Sequence, residues 1–151
     1  ERFVLALADR QRAGLDVRII FRDPREFPQG KARLMTMLER CKDFGLDTDW
    51  IRVQRGCHTK GIVVDSTQVM LGSHNLTNEG AFFNRDASLR VRSAKVAEYF
   101  ENIFLYDWDV LAKQNAEEVV SGARVAMANE ATPPSFRRVA LRSLVGELGA
   151  A

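Results

Sequence analysis

Several things are scarce in this 151-residue sequence, and each scarcity narrows what the protein can be. Cysteine occurs twice, at Cys41 and Cys57. Two thiols cannot make a disulfide framework, and they stay either free or joined in one bridge. Histidine also occurs only twice, at His58 and His74, and no Cys-x-x-Cys knuckle accompanies it. Zinc is therefore not expected. No apolar run approaches the roughly 20 residues that a membrane-crossing helix needs. The opening Glu-Arg-Phe-Val-Leu has neither the basic start nor the cleavage pattern of a secretory signal. Excess charge is scarce too: 22 Lys and Arg against 20 Asp and Glu leave a net +2, which neither requires nor forbids a nucleic-acid partner. With 46% hydrophobic and 28% charged residues, the composition is that of a soluble globular chain, cytoplasmic or secreted after processing. The start at Glu1, with no Met, suggests a piece of a longer protein.

The pattern along the chain is α/β. Residues 2–13 read as a helix stopped by Gly14, with Leu15 placed for a capping contact. Residues 17–21 form a short β-branched run, and Asp23-Pro24 and Pro28-Gln29-Gly30 break it. Leu34, Leu38 and Cys41 give residues 31–44 a buried helical face, and Gly45-Leu46-Asp47 repeats the Gly-Leu-Asp stop. Strands are expected over 50–53, 60–65 and 68–72. In 86–92, Ala87, Leu89 and Val91 alternate with polar residues as in a strand with two unlike faces. Ser93 caps a long helix running to about Leu111, with Val96, Phe100, Ile103, Phe104 and Trp108 on its packing stripe. Residues 117–128 read equally as helix or strand. Residues 136–151, with Arg137, Arg138 and Arg142, are a peripheral helix or a tail.

The informative segment runs from Cys57 to Asn75. His58 and Lys60, two apart on a strand, share a face. If the chain turns at Ser66-Thr67 and returns antiparallel, Asp65 pairs with Gln68, Lys60 with Ser73, and His58 with Asn75. Paired residues share a face at about 5 Å between Cβ atoms. One hairpin would then gather an imidazole, an ammonium, a hydroxyl and a carboxamide, with Asp65 structural and His74 pointing away. Such a patch suits a phosphodiester. Lys60, Ser73 and Asn75 supply donors to the non-bridging oxygens, and a neutral imidazole at His58 can attack phosphorus. Gly72 would let the backbone come close to the ligand.

His58-x-Lys60, four residues, Asp65, six residues, Gly72-Ser73-x-Asn75 resembles the HKD signature of the phospholipase D superfamily, with all six defining positions at the family's spacing. The likeness extends over about residues 2–112. It includes Asn84-Arg85-Asp86 before the alternating strand, and the helix ending Phe104-Leu105-Tyr106-Asp107-Trp108. The resemblance implies an α/β/α sandwich with a mixed central sheet, and a catalytic half over 1–112. An extension of unclear role follows over 113–151. It also implies metal-free phosphodiester hydrolysis or transfer through a phosphohistidine. His58 would be the nucleophile, Lys60 and Asn75 with Ser73 would bind phosphate, and Asp86 would orient the imidazole. The family's site joins two such motifs, and this chain has one. The second His must come from a tandem domain, a separate chain or a homodimer mate.

Three functions stay open at this point. The chain acts on phospholipids, cuts nucleic acid with the same chemistry, or serves as a non-catalytic binding or structural half. Phe82 and Phe83 would line a lipid-binding mouth or belong to the core. Arg52 and Arg55 would hold an anionic substrate or carry solvated charge.

Overall fold

A computed structural model describes residues 2–75 and 83–134. The expected helix near Phe136 and the position of Phe82 lie outside them.

Helix α1 (Arg2–Arg12) buries Ala8 completely. It stops where Gly14 takes a left-handed φ of 85°. There Gly14 N–H donates to Gln11 O at 2.8 Å and Leu15 N–H to Arg10 O at 3.1 Å. Those bonds satisfy carbonyls that the helix end leaves without partners. Strand β1 (Ile19–Arg22) leads through a 3₁₀ turn at Pro24–Glu26 into helix α2 (Gly30–Asp43), and then to strand β2 (Ile51–Gln54). β1 and β2 pair in parallel, Ile19 with Ile51 through Arg22 with Gln54. Parallel neighbours require a crossover, which α2 provides.

Because side chains alternate along a strand, this two-stranded sheet has two characters. Ile19, Phe21, Ile51 and Val53 join the main core with Ala8, Leu34, Leu38, Cys41 and Leu46. The other face carries Arg52 and Gln54. Arg52 donates to Trp108 O and lies 3.9 Å above the Trp108 ring.

The second sheet is an antiparallel meander of β3 (Gly61–Val64), β4 (Gln68–Gly72) and β5 (Ser88–Arg92). Val63, Val69 and Val91 meet across it. Helix α3 (Ala94–Tyr106), capped by Ser93, packs on this sheet with Ala97 fully buried. Of the apolar set expected on β5, Val91 is partly buried, while Leu89 is 73% exposed. α3 continues as a π-helical turn at Asp107–Leu111.

The α/β class with parallel and antiparallel strands is as expected, but the described ladders form two sheets and not one mixed sheet. The reason lies at the free edge of β2. Residues after Ala112 occupy it through bridges Arg52–Asn115 and Arg55–Met127, so β3 does not pair there. Helix α4 (Ala116–Val120), with a capping box at Asn115 and Glu118, packs on α2 and β2. It sends Ala116 and Val119 into the main core, and Val125 follows.

Candidate functional site

The site begins where β2 ends. Gly56 takes a left-handed φ of 67°, and its N–H donates to Glu26 Oε1 at 3.0 Å. Cys57 follows with its side chain partly buried, and burial pushes its thiol above the ordinary range. His58 is exposed. Lys60 folds back on it: Nζ lies 2.9 Å from Nδ1 and 3.1 Å from Nε2, and donates to His58 O at 2.8 Å. The ammonium thus serves whichever ring nitrogen carries the lone pair.

The hairpin that follows differs from the expectation by one residue. The ladder pairs Val64 with Gln68 and Gly61 with Leu71, and Gly72 N–H donates to Lys60 O at 3.3 Å. Asp65 and Ser66 take left-handed φ values of 49° and 51°, and Thr67 N–H closes the turn on Val64 O at 3.1 Å. Asp65 is thus a turn residue rather than the strand partner of Gln68. A slip of one residue exchanges the faces of a strand. Lys60 is now level with Gly72, not Ser73, and His58 precedes β3 with no partner in the described ladder, neither Asn75 nor any other residue.

Accordingly, a narrow crevice is lined by Lys60, Gly61, Met70, Gly72, His74 and Ser88. His74, expected on the reverse side, faces the same space as Lys60. Ser73 instead donates to Asp86 Oδ1 at 2.7 Å and accepts from Ala87 N–H at 3.3 Å. Asp86 engages Ser73, where the resemblance would have it orient His58. Asn75 is exposed. Among the described residues, no hydrogen bond joins Ser73 or Asn75 to His58 or Lys60. The structure therefore brings together two groups, His58 with Lys60 and Ser73 with Asp86. Gly72 lies between them, where an added Cβ would stand 2.3 Å from Ala87 O and from Ser88 Oγ.

Beneath this surface lies a layer that motif reading does not reveal. The Gln54 amide is 1% exposed, and neither its oxygen nor its nitrogen has a well-formed hydrogen bond among the described residues. It lies against Asp107, whose carboxyl is pushed above its usual range by lost solvation, an effect the Gln54 amide partly offsets. Asp107 opens the π-helical turn, a geometry that often marks functional sites. In the sequence Asp107 was one letter of a helix end. The signal for its burial is the period that sets Trp108 inward, and that signal says nothing about an acid beside it. Among the described residues, no three His, Cys, Asp or Glu side chains converge as metal ligands. No described helix is long and apolar enough to cross a membrane.

The family described as cardiolipin synthase, PLD-like domain, matches residues 1–108. No curated protein and no solved structure matches significantly. The match spans both sheets, the His58–Lys60 loop and α3, and the chain therefore belongs to the phospholipase D superfamily.

Proposed function

We propose that the chain is one half of a phospholipase D-type phosphodiesterase, hydrolysing or transferring phosphodiesters through a phosphohistidine on His58, with phospholipids as substrates. The observation that carries this reading is the contact between the Lys60 ammonium and the exposed His58 imidazole on a motif loop anchored at Gly56. A phosphodiester entering there meets a nucleophile and a cation together. The His58 lone pair forms the N–P bond as the P–O bond to the leaving alcohol breaks. Lys60 donates to the non-bridging oxygens as their charge grows. The leaving alkoxide takes its proton from the imidazole of a second half. That imidazole then activates water or an acceptor alcohol, which cleaves the N–P bond and restores His58. The second half is a tandem domain, a separate chain or a second copy.

Two observations favour lipid over nucleic acid. The matching family is described by cardiolipin synthase. Phe83, three residues before Asp86 in the sequence, is 81% exposed, an apolar group at the surface. The test is turnover of an aryl phosphodiester and of phospholipid vesicles by the chain together with its second half. His58→Ala should abolish both, and EDTA should abolish neither. Retained activity in His58→Ala, or loss on chelation, would overturn the mechanism. Cleavage of single-stranded DNA in place of lipid would overturn the substrate.

A further inference from the structure

A cavity of about 420 Å³ is separate from the His58 crevice. Asp23, Arg25, Glu26, Arg55, Arg124 and Glu130 supply its charged lining. It opens beyond the carboxyl ends of β1 and β2, the end of a parallel sheet at which ligands are commonly held. The His58 loop leaves from that same end. Glu26 in the cavity wall accepts from Gly56, two residues before His58. The opposite wall, residues 123–130, lies beyond the part of the chain that the family matches. It is fastened to the end of β2 by Arg55 N–H on Ala126 O at 3.1 Å and Ala128 N–H on Arg55 O at 2.8 Å. The cavity thus joins the shared family scaffold to a segment that this chain adds.

Three cations and three carboxylates line it, but they are not equally engaged. Arg25 is fully occupied: it grips both carboxylate oxygens of the buried Asp23, with contacts of 2.9–3.1 Å, and donates to Val119 O at 3.0 Å. Glu26 is occupied by Arg22 at 2.9 Å and by Gly56. Arg124 holds Glu130 at 2.9 Å with its own side chain 80% exposed. Arg55 differs from these. Its nearest acid oxygen, on Glu26, is 4.0 Å away, and its guanidinium makes no hydrogen bond among the described residues. Half exposed at the cavity wall, it offers an unused planar fork of donors. Such a fork matches a carboxylate or phosphate in two-point contact.

We propose that this cavity is an anion subsite in which Arg55, assisted by Arg124, binds a phosphate or carboxylate group. In the assembled enzyme that group is a second anionic group of the substrate, beyond the phosphodiester that reacts at His58. The substrate assignment rests on the phosphodiesterase reading, whereas the binding site itself does not. Anion binding at Arg55 competes only with a weak contact to Glu26, so its loss should show directly in affinity.

The experiment has two arms. In the first, inorganic phosphate is titrated by calorimetry into the full chain carrying Lys60→Met, which removes the cation at His58. Binding should persist there, weaken about tenfold or more when Arg55→Ala is added, as expected for a lost charged hydrogen-bond pair, and weaken less with Arg124→Ala. Phosphate binding that disappears with Lys60→Met, or that ignores both arginine substitutions, overturns the proposal. Should Arg55→Ala fail to fold by circular dichroism, Arg55→Lys keeps the charge without the fork. It should still weaken binding severalfold, and unchanged affinity overturns the proposal. The second arm, with the second half present, compares a phosphodiester bearing an extra phosphate with a neutral-tailed one. Arg55→Ala should raise KM about tenfold for the first alone and spare kcat; equal effects on both overturn the substrate assignment. A chain that binds phosphate through Arg55 yet turns over neither diester would sink the enzymatic reading and leave the anion site standing.

Discussion

Gly72→Ala separates two explanations of a motif glycine. If the glycine is needed so that a ligand can reach the backbone, alanine should lower activity and leave the fold intact. The structure gives another reason. An added Cβ would lie 2.3 Å from Ala87 O, 2.3 Å from Ser88 Oγ and 2.7 Å from Ser88 Cα. Ser88 Oγ can rotate away, but a backbone carbonyl and a Cα cannot. The first residues of β5 must therefore move by about 1 Å to reach ordinary contact, and they are paired to Gly72 in the ladder. Overpacking of this kind costs about 2–3 kcal/mol when backbone has to shift. At about 3 °C per kcal/mol for a chain of this size, the melting temperature should fall by about 6–9 °C. Thermal unfolding by circular dichroism measures the shift, and urea unfolding gives the free energy independently. The displaced strand also carries Ala87, which bonds Ser73, so activity should fall along with stability. A Gly72→Ala protein that melts within a degree of the parent would refute the reasoning, whatever its activity, because β5 would then not be pressed against Gly72.

Three further outcomes are expected. Ser73→Ala removes the bond to Asp86 and should cost about 1 kcal/mol, as should Asp86→Ala. A double-mutant cycle measured by urea unfolding should return a coupling near 1 kcal/mol, whereas additive effects would mean that the pair is not formed in solution. Val119→Ala cuts into the main core at a residue only 1% exposed and should cost about 2 kcal/mol in urea unfolding. A neutral result would mean that residues after Ala112 are not part of that core. For Asp107, burial raises the folded-state pKa above the unfolded value. Its stability contribution is therefore fully present below the unfolded carboxylate range and is lost as pH rises through the raised folded value. Asp107→Asn should melt higher than the parent at pH 7, and the gap should close by about pH 3, where the parent's carboxyl is protonated in both states. A variant that melts lower at pH 7 would show that the charged carboxylate is stabilising.

The helices and strands were largely legible because their signals are local. The two Gly-Leu stops mark the ends of α1 and α2, and Ser93 caps α3 as its position suggests. The division into two sheets was not legible, because it depends on which segment claims the second edge of β2. Asn115 and Met127 do so from more than sixty residues away. No residue in either partner strand announces that choice. The same distance hides the role of residues 113–134, whose short apolar groups give little period until α2 and β2 stand opposite them.

The site shows how much can turn on one residue. The His58–Lys60 pair depends only on two positions, two apart, in the loop before β3, and it forms. Everything across the hairpin depends on the turn. Asp65-Ser66-Thr67 contains no glycine to show where the left-handed positions fall. Centring the turn on Ser66-Thr67 puts Ser73 opposite Lys60. The structure instead bends at Asp65 and Ser66 and makes Ser66 the centre of the ladder. Asp is among the residues that tolerate a left-handed φ, so the observed turn is chemically reasonable. The consequence is that the motif's Asp65 sets the register of the residues around His58 without entering the site. An Asp65→Gly substitution eases the left-handed turn, while Asp65→Val opposes it. Val at this position should loosen the β3–β4 register, lowering the melting temperature and exposing the Ile62 and Val64 amides to faster hydrogen exchange. Unchanged exchange in Asp65→Val would mean that strand pairing, and not the turn, holds Lys60 level with Gly72.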